Sequence, residues 1–62
     1  MISEITVTVK DEEKTLKKKY LIYELYQVHD QDPIIMDCIE QTVKNFSSEP
    51  SRISVRINLQ VE

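Results

Sequence analysis

No glycine occurs anywhere in the 62 residues, and that absence restricts both the turns and the chemistry open to the chain. Glycine supplies positive φ and lets a backbone approach a ligand closely, so phosphate-cradling loops, dinucleotide-binding turns and nucleophile elbows are not built here in their usual form. Hairpins are left with turns of the type I family, and a helix must end without a left-handed glycine cap. A chain of this length is expected to be one domain, residues 1–62, near the lower limit of a self-sufficient core. Marginal stability or an oligomer is therefore expected.

The stretch from Asp32 to Phe46, DPIIMDCIEQTVKNF, follows a helical period most cleanly. Ile35, Cys38, Ile39, Thr42, Val43 and Phe46 recur at intervals of three and four and share one stripe, with Met36 on its flank. Asp37, Glu40, Gln41 and Lys44 take the opposite side, where Glu40 and Lys44 stand in the favourable acid-before-base order. Asp32 is suited to accept a free N–H of the first turn, and Pro33 sits where its missing donor costs nothing. At the other end Asn45, Ser47 and Ser48 manage the exit, and Pro50 stops continuation.

Two strands are equally legible. Ile5, Val7 and Val9 alternate with Thr6 and Thr8, and Ile53, Val55, Ile57, Leu59 and Val61 alternate with Ser54, Arg56, Asn58, Gln60 and Glu62. The four consecutive charges Asp11 to Lys14 break the first run and predict a turn opened by Asp11. Thr15 to Val28 is read as a further strand, rich in Tyr20, Leu21, Ile22, Tyr23, Leu25 and Tyr26, with apolar residues on both parities. The expected fold is α+β in the order ββαβ: a three-stranded sheet with one helix packed on one face. A right-handed crossover makes the last strand parallel to the second, and the first strand is expected in the middle. The alternative is a helix over Glu12 to Gln27. The order would then resemble a ribbon-helix-helix DNA-binding protein, although the long last strand has no role in that fold.

Functional chemistry is sparse. One cysteine excludes an internal disulfide, and Cys38 on the buried stripe reads as a small hydrophobe. No signal peptide or membrane span is evident, so a cytoplasmic, soluble protein is expected. His29, Asp30 and Asp32 lie within four residues and fit helix capping better than a metal site. One His and one Cys support no nucleophilic arrangement, so an enzyme is not expected. Neither a cofactor nor a metal is expected.

The expected function is a small non-enzymatic interaction or regulatory module that associates with itself and with a partner protein. The binding residues would be Leu21, Tyr23 and Leu25, one of the two apolar parities of the second strand, of which the helix can cover either, with Asp37 and Glu40 on the acidic helix face. A homodimer is expected to bury that apolar set. The alternative is a nucleic-acid-binding accessory protein using Lys17, Lys18, Lys19, Tyr20 and Tyr23. It is less favoured because the chain carries a net charge of −3 and because strand alternation splits the three lysines between two faces.

Overall fold

A computed structural model describes residues 2–24, 28, 29 and 31–60. Its elements are β1 (Ile2–Lys10), β2 (Thr15–Tyr23), α1 (Pro33–Lys44) and β3 (Arg52–Gln60). The sheet order is β2-β1-β3, and β1 pairs antiparallel with both neighbours. The two outer strands therefore run parallel to each other, with the first strand between them as expected. Strand content at Thr15–Tyr23 excludes the helical alternative and the ribbon-helix-helix arrangement with it. β2 ends at Tyr23, short of the expected extent to Val28. Leu25, Tyr26 and Asp30 lie outside the described residues.

β1 is central because it is β-branched on both faces. Ile5, Val7 and Val9 are fully buried toward α1, while Glu4, Thr6 and Thr8 on the other side are half-buried between neighbouring side chains. Each of those three apolar side chains contributes about 1.5–3 kcal/mol by leaving water. Ile35, Cys38 and Thr42 of α1 close over them, with Leu16, Tyr20, Ile22, Ile39, Val43 and Phe46 at the margin. Val28, in the connection between β2 and α1, is also buried, and its N–H donates to Ser3 Oγ at 3.3 Å.

The turns are built without positive φ among the described residues. Asp11 Oδ1 accepts the N–H groups of Glu13 and Lys14, at 2.7 and 2.8 Å, and so closes the β1–β2 hairpin. Asp32 caps α1 by accepting from the Ile34 N–H, and Pro33 occupies the first turn. At the far end the Asn45 N–H bonds back to the helical carbonyls, and its side chain donates to the Gln41 carbonyl.

α1 lies over β1 and β2. That lateral position decides what the molecule leaves uncovered. The apolar parity of β3 points to the same side of the sheet as Ile5, Val7 and Val9, because Ile57 pairs with Ile5, Val55 with Val7 and Ile53 with Val9. Yet Ile53, Val55 and Leu59 remain 44%, 37% and 43% exposed, and only Ile57 is half-buried against the core. Leu21 and Tyr23 of β2 are exposed on the other side of the sheet, and on the helix side a second uncovered apolar set belongs to β3.

Candidate functional site

Two surfaces have a composition that the fold does not use up. One is the apolar stripe of β3 just described. It lies on an edge strand, so among the described residues no strand stands beside its outward N–H and C=O groups.

The second is the face of the sheet turned away from α1. The pairing register assembles it in cross-strand rows: Tyr23, Ile2 and Gln60; Leu21, Glu4 and Asn58; Lys19, Thr6 and Arg56; Lys17, Thr8 and Ser54; Thr15, Lys10 and Arg52. Among the described residues, five cations, Lys10, Lys17, Lys19, Arg52 and Arg56, share this face with one carboxylate, Glu4. Glu4 lies 3.7 Å from the Lys19 ammonium and also accepts from the Gln60 amide. Glu4, Thr6, Thr8, Lys17, Lys19, Arg56 and Asn58 line a shallow open trough at its centre.

The residues singled out from sequence are dispersed accordingly. Leu21 and Tyr23 are 48% and 68% exposed on the open face, on the opposite side of the sheet from the apolar stripe. Leu25 lies outside the described residues. Asp37 and Glu40 are exposed on α1, on the side of the helix away from its buried residues Ile35, Cys38 and Thr42. Of the nucleic-acid set, Lys17, Lys19 and Tyr23 fall on the open face, whereas Lys18 and Tyr20 fall on the helix side, opposite Val7 and Ile5. Tyr20 is structural: its hydroxyl lies 2.7 Å from Thr42 Oγ1. Alternation thus divides that set, and Arg52, Arg56 and Lys10 join its outward half. The polar parity of β3 contained the signal, but only the pairing register brings it beside Lys17 and Lys19.

The remaining candidates have structural roles. Cys38 is buried, and burial, reinforced by the charge of Asp37, pushes its thiol pKa up, which suppresses the nucleophilic thiolate. His29 and Asp32 border a shallow depression with Gln31 and Pro33, and among the described residues no group of three or more metal-ligating side chains converges. Asp11 has its pKa lowered, first by the hydrogen bond from Ser48 and then by those from the Glu13 and Lys14 backbone. The Ser48 bond ties the hairpin turn to the loop after α1. Among the described residues no helix is long and apolar enough to cross a membrane.

No protein-family model, curated protein or solved structure matches the chain.

Proposed function

We propose that the protein is a non-enzymatic interaction module that associates with a second copy of itself through β3. The observation that supports this is the combination, on one strand, of three exposed apolar side chains and an open hydrogen-bonding edge. A domain this small gains from burying such a stripe, and an isologous two-fold contact needs only one surface to do it.

The pairing is self-complementary in sequence. In an antiparallel β3 to β3 ladder centred on Ile57, Val55 faces Leu59 of the other copy and Arg56 faces Asn58. No cation is then set directly against its symmetry mate, which centring on Arg56 would require. The apolar parities of both copies stay on the helix side, so two three-stranded sheets become one of six.

Light scattering coupled to size exclusion tests this directly. The wild-type chain is expected at twice the monomer mass in the micromolar range. Val55→Asp is expected to give a folded monomer with at least tenfold weaker association, because Val55 is exposed and its substitution leaves Ile5, Val7 and Val9 in place. Val7→Asp is the contrasting core change and is expected to unfold the chain. A wild-type monomer at high micromolar concentration would overturn the proposal.

A further inference from the structure

We infer that the open face of the sheet binds single-stranded nucleic acid. The inference stands apart from self-association, since one chain carries the whole face.

The five cations and one carboxylate give this face a net charge of +4, although the whole chain carries −3. Lys19 and Arg56 flank Thr6 in one row, so their backbones are about 10 Å apart, two strand spacings. That distance is comparable to the screening length at about 0.1 M salt, so the cations of β2 and β3 act on a ligand as one field. Protecting two sheet edges from aggregation needs a charge on each edge. It does not need five cations on one face with a single counter-charge among them.

Polar and aromatic side chains lie between and beside the cations. Thr6, Thr8, Ser54, Asn58 and Gln60 present hydroxyls and amides that can donate to phosphate oxygens and bond to sugar hydroxyls or base edges. At one end Tyr23 exposes most of its ring, next in line along β2 to Leu21 and Lys19, where an unpaired base can stack. A flat sheet face does not enter a duplex groove as a helix or a two-stranded ribbon does, so the favoured ligand is single-stranded. A membrane surface would ask for apolar side chains interspersed with the cations, whereas here Ile2, Leu21 and Tyr23 are confined to one end.

Fluorescence anisotropy with a short labelled oligodeoxythymidylate, between about 50 and 200 mM salt, is the test. Binding is expected to weaken with salt along a log–log slope no steeper than about −3.5, the limit for five phosphate contacts on a single strand. Lys17→Glu combined with Arg56→Glu should weaken binding at least tenfold. Lys18→Glu, on the same strand but the helix side, should change it less than twofold. Tyr23→Ala should weaken oligonucleotide binding about fivefold or more and leave heparin binding unchanged, because heparin offers charge without bases. If the double charge reversal fails to fold by circular dichroism, Lys17→Gln with Arg56→Gln replaces it. Any of four results would overturn the inference: no binding at the lowest salt, equal loss with Lys18→Glu, polyglutamate or heparin bound as tightly with the same response to Tyr23→Ala, or preference for phosphatidylserine vesicles.

Discussion

The Tyr20 hydroxyl lies 2.7 Å from Thr42 Oγ1, and Thr42 gives its own proton to the Cys38 carbonyl at 2.8 Å. The donor in the first bond is therefore Tyr20, and the chain of two bonds fastens edge strand β2 to the buried face of α1. Thr42 is fully buried, so its hydroxyl has no access to water as a substitute. Thr42→Val is expected to cost about 1–2 kcal/mol, since it leaves a tyrosine hydroxyl without its acceptor, and Tyr20→Phe about 0.5–1.5 kcal/mol. Urea unfolding of both single variants and the double variant checks this. Because the residues share one bond, the double variant should cost less than the sum of the two.

Ser3 is the one polar residue on the buried parity of β1, and its Oγ accepts the N–H of buried Val28. Ser3→Ala strands that donor. The expected loss is about 1 kcal/mol, the low end for an unsatisfied buried group because the 3.3 Å bond is long. Hydrogen exchange at the Val28 amide should accelerate more than exchange at Val7, whose ladder partners are unchanged.

Asp11 gives the fold an acid-sensitive clasp. Its lowered pKa means that the folded state prefers the charged carboxylate, so the stabilisation is present above the ordinary aspartate value. It is lost as the pH falls through the lower folded value. Thermal melts from pH 5 down to about pH 3 should show a steeper loss for the wild type than for Asp11→Asn, which has no proton to take up there. A parallel decline in the two proteins would count against the clasp.

Cys38 should be unreactive while the chain is folded. Burial and the nearby Asp37 charge both favour the neutral thiol, and the side chain has little solvent access. Modification by a disulfide reagent at neutral pH is expected to be slow in buffer and fast in denaturant. A native rate equal to the denatured one would contradict the burial of this helix face.

The sequence already contained most of the fold. Asp32 and Pro33 mark the helix start, the three-and-four spacing from Ile35 to Phe46 marks its buried stripe, and strict alternation marks β1 and β3. What local pattern does not encode is the sideways position of α1 over the sheet. Tyr20 and Ile22 have a helix above them and Ile53 and Val55 do not, although all four are equally apolar in their strands. The open face was illegible for a similar reason. Lys17 and Lys19 are distant in sequence from Arg52 and Arg56, and only the shared partner β1 sets them side by side. Within β3 alone, two arginines among serine, asparagine and glutamine read as an ordinary solvated edge.

The central place of β1 also bears on how the chain assembles. The β1–β3 ladder joins residues far apart in sequence, from Lys10 with Arg52 to Ile2 with Gln60, and the Gln60 amide reaches Glu4 across 56 positions. The β1–β2 hairpin closes locally, whereas the pairing of β3 with β1 must close a loop that contains both β2 and α1, and such non-local pairing is slow. During synthesis β1 emerges first and its partner β3 last. Until that partner arrives, the middle of the finished sheet is itself an edge, with Ile5, Val7 and Val9 beside an unfilled ladder, and the nascent domain is at its most vulnerable to pairing with the wrong strand.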